Sequence, residues 1–414
     1  MKRGFVAGLL VLSALSQAQQ LVSATSNGTL TASDVKAKCA KAFKKASAPA
    51  IQGNAIRLFK TAYLSRLPDG RITTLSGLLA VPASGAPKGL IVHYHGTLAN
   101  RDNVPSRYRG EESNGETNLP VLAFATAGYA VALPDYIGLG DHKGFHPFPL
   151  NNVNCWAGID LIKPARQIGE EKSLRIGPKL FISGYSQGGG VAMWAAKKLQ
   201  ELNDPDYQVV KSAPLSGPYD YTGAQAKQIV EKSIKPLTVA ARVYLAAYLA
   251  RGIQKNVPGI DLNDYFVPSF ASYIPGAFDL NLPDQKLIQK LYGKALQLGS
   301  VRSLDRITQP KFRAALRNGD TKDPIIRKLA ENNGYDWSPT IPMYLVCIDG
   351  DEVVSPQNTI NTVRFMRKRG VNKTTLRHYV IKGKGLNHVS GCAPALILAR
   401  KFFDGGFQAV PSLD

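Results

Sequence analysis

Lys179-Leu180-Phe181-Ile182-Ser183-Gly184-Tyr185-Ser186-Gln187-Gly188 decides how the rest of this chain is read. Residues 179–184 form a short apolar run of strand character, and Gly188 to Leu202 has helical character. Between them Gly184-Tyr185-Ser186-Gln187-Gly188 matches G-x-S-x-G. A serine held on a sharp strand-to-helix turn exposes its oxygen above a sheet, and flanking glycines let the backbone pass close to strand and helix. The helix N-terminus favours negative charge developing beside it. Ser186 is therefore the candidate nucleophile, whereas Ser183 reads as a strand residue.

Outward from this turn the pattern repeats. Upstream, Gly89 to Gly96 is a nearly continuous apolar run suited to a buried central strand. Val121 to Ala127 reads as helix, Tyr129 to Pro134 as strand and Trp156 to Glu171 as helix, with Gln208 to Leu215 a strand downstream. Strands alternating with helices imply βαβ units and a mostly parallel sheet. Ahead of them, Ile56 to Ser65 and Ile72 to Val81 alternate around Pro68-Asp69-Gly70 as a hairpin does. Leu21 to Ser33 reads as polar and mobile, and Asp34 as the cap of a short helix to Ala46. After Ser216-Gly217-Pro218 the alternation stops. Tyr219 to Trp337 carries helical stretches such as Leu237 to Ala250 and Asp284 to Leu298, and reads as an inserted helical cap. Sheet pattern resumes with strand Ile341 to Ile348, helix Gln357 to Arg369, strand Thr375 to Ile381 and a last helix to Phe403. The chain holds no internal repeat.

A serine hydroxyl needs a base to take its proton. On this type of turn the partners follow in the order Ser, acid, His. That removes His93, His95, His142 and His146. His378 falls within a strand, whereas His388 follows Gly383-Lys384-Gly385-Leu386-Asn387 and is the candidate base. Asp349, Asp351 and Glu352 qualify as acid by position. Gly350-Asp351-Glu352-Val353-Val354 is similar to the Gly-Asp-x-x-Val ending of many α/β-hydrolases, which favours Asp351 and leaves Asp349 as the alternative. The oxyanion hole needs two backbone N–H donors; Gln187, after the nucleophile, and Thr97, after His95-Gly96, are the candidates. His93 and His95 form H-x-H, but no third metal ligand is spaced nearby. His142 and His146 read as rim residues of a pocket. No metal or cofactor is expected.

The N-terminus reads as a cleavable signal peptide: Lys2 and Arg3, the apolar run Phe5 to Leu15, then Ser16-Gln17-Ala18. Secretion or periplasmic export follows, and an even count of cysteines outside the cytosol suggests disulfides. Cys347 lies four residues before Asp351 and Cys392 four after His388. If acid and base meet in space, a Cys347–Cys392 bridge is expected, with Cys39–Cys155 the remaining pair; free buried cysteines are the alternative. The formal net charge of +21 favours anionic surroundings such as membrane lipids or wall polymers. Its scattered lysines and arginines lack interleaved aromatics, which argues for a solvated cationic surface rather than a specific nucleic-acid site.

His95-Gly96-Thr97, Pro134-Asp135-Tyr136-Ile137-Gly138-Leu139-Gly140, Gly184 to Gly189 and the late Asp351 and His388 together resemble the secretory lipase family of the α/β-hydrolases, over roughly Tyr63 to the C-terminus. The resemblance implies an α/β-hydrolase fold (a mostly parallel sheet flanked by helices, with a helical lid), carboxylester hydrolysis and no cofactor. The domain reading is a signal peptide at 1–18, core at 19–218, cap at 219–338 and core again at 339–414. The expected activity is that of a serine lipase or esterase on a small-molecule or lipid ester. A peptidase of the same fold is one alternative, with Glu111, Glu112 or Glu116 as the acid for a free N-terminus. A non-enzymatic adhesion scaffold is the other. No motif speaks to acyl-chain length or oligomeric state.

Overall fold

The computed structural model describes residues 18–43 and 54–413. Strand β1 (Leu21–Leu30) pairs antiparallel with β2 (Ile56–Arg66), and β2 with β3 (Ile72–Pro82). The segment expected to be mobile is thus an edge strand. Its side chains alternate poorly because two irregularities, at Leu21/Ser23 and Ser26/Gly28, break the register. Helix α1 (Ala32–Ala42) follows; its cap is Thr31, and Asp34 is the third residue of a capping box rather than the cap itself. The expected leader, apart from Ala18, lies outside the described residues.

The parallel part begins with β4 (Leu90–Tyr94), buried at every position. Helix α2 (Gly115–Pro120), β5 (Ala130–Pro134), α3 (Asn151–Ile159) and α4 (Ile162–Glu171) follow. The single helix expected over 156–171 is therefore two. A helix running through Pro164 would lose that residue's N–H bond to the Asp160 carbonyl and meet its ring, so the second helix starts with Pro164 in its first turn. Asp160 at the break turns its carboxylate inward, where Arg66 Nη2 (2.8 Å), Ser65 Oγ (2.9 Å) and Gln19 Nε2 (3.3 Å) bond it. Then come β6 (Leu180–Tyr185), α5 (Gln187–Leu202) and β7 (Val209–Leu215). A helical block intervenes, with α6 (Pro236–Asn256) and α7 (Asp284–Gln297) its longest members. The chain closes with β8 (Met343–Ile348), α8 (Gln357–Lys368), β9 (Leu376–Ile381) and α9 (Cys392–Gly405).

The nine strands of the described residues form one sheet in the order β1-β2-β3-β5-β4-β6-β7-β8-β9. Pairing is parallel from β5 through β9 and antiparallel before it. Period-2 alternation sends Leu78, Ile91, Val131 and Phe181 to one face, where α1 and α9 pack. It sends Leu79, Val92, Ala132 and Ile182 to the other, against α3, α4 and α5. The helical block between β7 and β8 has its own apolar cluster, around Val243, Phe266, Phe270 and Leu291.

The same alternation overturns the expected disulfides: all four cysteines are free. Cys39 packs in the α1/α9 layer and Cys155 in the opposite one. Cys347 falls one residue out of phase with Tyr344 and Val346, on the α8 side of β8, while Cys392 packs with the layer that holds those two. Each expected pair is thus separated by the sheet. No described helix is long and apolar enough to cross a membrane.

Candidate active site

Ser186 sits between β6 and α5 at φ 60, ψ −126, a strained conformation for a residue with a side chain. The turn exists because its neighbours lack Cβ atoms. One added at Gly184 would lie 2.0 Å from the Gly188 carbonyl oxygen, and one at Gly188 would lie 1.8 Å from that of Tyr94. Ser186 Oγ lies 2.7 Å from His388 Nε2, and His388 Nδ1 lies 2.7 Å from Asp351 Oδ2. The other oxygen of Asp351 accepts the N–H groups of Val353 (2.9 Å) and Val354 (2.7 Å), which fixes the carboxylate. Asp349 is exposed, so the geometry brings Asp351 to His388 and leaves Asp349 aside. Burial disfavours a charged His388, but the Asp351 charge and hydrogen bond, with Glu116 and Glu352 behind them, outweigh it and raise the pKa above 6.5. Tyr185 Oη donates to the His388 carbonyl at 2.5 Å and steadies its loop.

The loop after β4 is held on both sides of Thr97. Gly96 N–H donates to Glu116 Oε2 at 2.6 Å, and Ala99 N–H to Asp284 Oδ1 at 2.7 Å. His95 Nδ1 lies 2.7 Å from the Gly96 carbonyl, and Tyr248 Oη donates to the Leu98 carbonyl at 2.9 Å. A trans peptide is planar, so fixing the Gly96 carbonyl also fixes the direction of the Thr97 N–H. That N–H has no acceptor among the described residues. The first N–H of α5, on Gln187, has none within its helix either. Thr97, Ser186 and Gln187 line one cavity. Its other walls are mainly apolar: Phe148, Ile229, Leu245, Leu249 and Val354. Three of these come from the helical block, which also grips the site through Gln228 Nε2 on the Asp351 carbonyl (3.1 Å) and Gln225 Nε2 on that of Val353 (2.9 Å).

The remaining histidines are accounted for by packing. His93 lies against Phe124 and His95 against Tyr136, so the H-x-H pair does not converge. Burial pushes their pKa values down to about 3 and about 4. His378 stands in β9 opposite Leu345. His142 lies near the surface, where its Nδ1 accepts the Gly138 and Gly144 N–H groups. His146 departs from its expected place on a rim. It is buried, stacked on Tyr136, with Nδ1 donating to the Ile137 carbonyl (3.0 Å) and Nε2 accepting from Gln187 Nε2 (2.8 Å). Burial lowers its pKa to about 3, so it is neutral and pins the Gln187 side chain. Asp135 is buried as well, accepting from Ser76 Oγ (2.6 Å) and the Ser106 N–H (2.8 Å), a structural part. Of the three glutamates, Glu111 and Glu112 are exposed, Glu112 pairing with Lys41. Glu116 alone reaches the site, bonded to the Gly96 N–H. From the sequence His146 was expected only on a pocket rim and Glu116 only as a possible acid for a free N-terminus, and neither contact seen here was expected.

The sheet order, the strained serine turn and the helical block between β7 and β8 define an α/β-hydrolase. More particularly, residues 114–240 match the family model described as secretory lipase. The resemblance read in the motifs is thus borne out, and the expected fold class with it. Among solved structures, a putative hydrolase from Legionella pneumophila is 26% identical with a TM-score of 0.78, covering 93% of this chain and 97% of its own. The rice cell wall degrading esterase LipA from Xanthomonas oryzae, in a ligand-bound form, is 21% identical with a TM-score of 0.74, covering 94% and 98%. Candida antarctica lipase A is 15% identical with a TM-score of 0.63, covering 94% and 82%. No curated protein matches. Together these comparisons support a hydrolase acting on esters.

Proposed function

We propose that this protein is an exported serine carboxylic ester hydrolase working through an acyl-enzyme. The observation that carries the reading is the unbroken relay from Ser186 Oγ through His388 to Asp351, with 2.7 Å at each step, opening on an apolar cavity. His388 Nε2 accepts the Ser186 proton as Oγ attacks the ester carbonyl, while Asp351 holds the Nδ1–H tautomer and stabilises the imidazolium. The N–H groups of Thr97 and Gln187 stabilise the oxyanion. Collapse breaks the ester C–O bond, and His388 returns its proton to the leaving alcohol. Water, deprotonated by the same base, then attacks the acyl-enzyme, and as the acyl–Oγ bond breaks His388 returns the proton to Ser186 and the acid leaves. The acyl chain occupies the cavity walled by Ile229, Leu245 and Leu249, which makes residues 219–338 the lid of the site and 19–218 with 339–414 its core.

Export rests on the charged and apolar N-terminal pattern of residues 1–18. The +21 charge gives the enzyme a tendency toward anionic membrane or wall surfaces. On the lid, the exposed Ile234 and Leu237 lie beside Lys232 and Lys235, which suits such a surface. The deciding experiment is hydrolysis of p-nitrophenyl esters from acetate to palmitate by wild type and Ser186→Ala, with fluorophosphonate labelling alongside. Ester turnover and labelling that both vanish in the variant are expected. A variant that keeps wild-type turnover refutes the assignment, and labelling without turnover of any ester moves it to the peptidase alternative.

A further inference from the structure

Glu116 is an acid bonded to the loop after β4 that the proposed chemistry leaves without a role. It sits in the first turn of α2, where Asn114 caps the helix by accepting the Thr117 N–H at 3.2 Å. Its Oε2 reaches across to the Gly96 N–H at 2.6 Å, and no lysine or arginine among the described residues pairs with it. The approach depends on glycine: a Cβ at position 96 would lie 2.6 Å from the same oxygen. Even a partly buried carboxylate with a single backbone donor is costly, so its position calls for an explanation. His95 fixes the Gly96 carbonyl and Glu116 the Gly96 N–H, so between them both ends of residue 96 are tied down. The peptide that follows carries the Thr97 N–H.

We infer that Glu116 is a positioning residue: its carboxylate clamps the Gly96 N–H, so that the Thr97 N–H is held toward the oxyanion, and its charge bears on the imidazolium that forms on His388. This rests on the triad reading above. Around His388 the other groups are Asp351, Ser186 and Tyr185 at its ring and Glu352, which accepts its backbone N–H. Asp284 at the start of α7 is the second charge near Glu116, and Tyr136, Tyr185, Tyr244 and Cys392 are the neutral titratable groups around it. Burial raises the Glu116 pKa above its ordinary 4.5. The ionised form raises that of His388, and removing the charge therefore lets His388 lose its proton at lower pH.

The test compares wild type, Glu116→Gln and Glu116→Ala on p-nitrophenyl acetate across the acid limb of kcat/KM, with thermal melting as the fold control. Glutamine keeps an acceptor for Gly96 but no charge. It is expected to move the acid limb down by about half a pH unit while holding kcat within about threefold. Alanine removes the clamp too, and should add a kcat loss of about 10- to 10²-fold at unchanged KM. A Glu116→Gln protein that melts like wild type and keeps the wild-type acid limb overturns the inference, as does an alanine loss that falls on KM. If alanine does not fold, the glutamine limb decides alone. A wild type that cleaves no ester refutes the function reading, and this inference falls with it. Wild-type turnover with an unmoved limb refutes Glu116 only.

Discussion

Replacing Gly188 by alanine tests whether the two proposed oxyanion donors depend on one backbone contact. The new Cβ would lie 1.8 Å from the Tyr94 carbonyl oxygen, 2.5 Å from its carbon and 2.6 Å from the His95 carbonyl oxygen. Ordinary contact begins at 3.4 Å, so the helix N-terminus and the end of β4 must part by about 1.6 Å. None of the obstructing atoms belongs to a flexible side chain that can swing away. The contact lies between the segments that carry the donors: Gln187 immediately precedes Gly188, and Thr97 follows His95 by two residues. Parting them by that distance takes one N–H out of hydrogen-bond range of any atom the other still reaches. The expected loss is about 10²- to 10³-fold in kcat, the scale of one missing oxyanion donor, with KM little changed. Overpacking should also cost roughly 1–3 kcal/mol of stability. Initial rates on p-nitrophenyl acetate give the kinetic terms, thermal melting the fold, and the rate of fluorophosphonate labelling reports the same hole without turnover. A folded Gly188→Ala enzyme within threefold of wild-type kcat refutes the reasoning, because donors in these positions could not survive such a displacement.

Two further outcomes follow from the walls of the site. His146→Phe keeps an aromatic ring against Tyr136 but strips the Gln187 side chain of its partner. A kcat loss of about tenfold is expected, with the acid limb unmoved because His146, with a pKa of about 3, is neutral throughout the working range; a shifted limb in the pH profile counts against that account. Leu245→Trp, at a half-buried cavity wall on α6, should cut kcat/KM for palmitate relative to acetate by roughly tenfold or more, and an unchanged ester profile would take the acyl chain out of this cavity.

How far the sequence could be read depended on whether a residue's environment is set by its neighbours in the chain or by distant ones. β4, β5 and β6 are buried on both faces, so their own composition had to be apolar without a break, and they were legible. The turn at Ser186 was legible because close backbone approach at 184 and 188 excludes any side chain, which writes two glycines into the sequence at fixed spacing. His388 was singled out by chain order and Asp351 by the Gly-Asp-x-x-Val pattern, and the fold buries Asp351 beside His388 while leaving Asp349 exposed. β1 was missed because its partner β2 is tens of residues away and its register is broken twice, so no period survived. The disulfide expectation failed over sheet parity. Two cysteines near an acid and a base that touch can still face opposite sides of a sheet, and Cys347, one residue out of phase with Val346, carried that signal in its strand position. The contacts of Glu116 and His146 lie outside the reach of such patterns. One is tied to Gly96 across 20 residues and the other to Gln187 across 41, each by a single hydrogen bond. The local trace is indirect: a Cβ at position 96 would lie 2.6 Å from the Glu116 carboxylate oxygen, so a glycine with no turn to make was the visible half of an interaction whose other half lay in a different part of the chain.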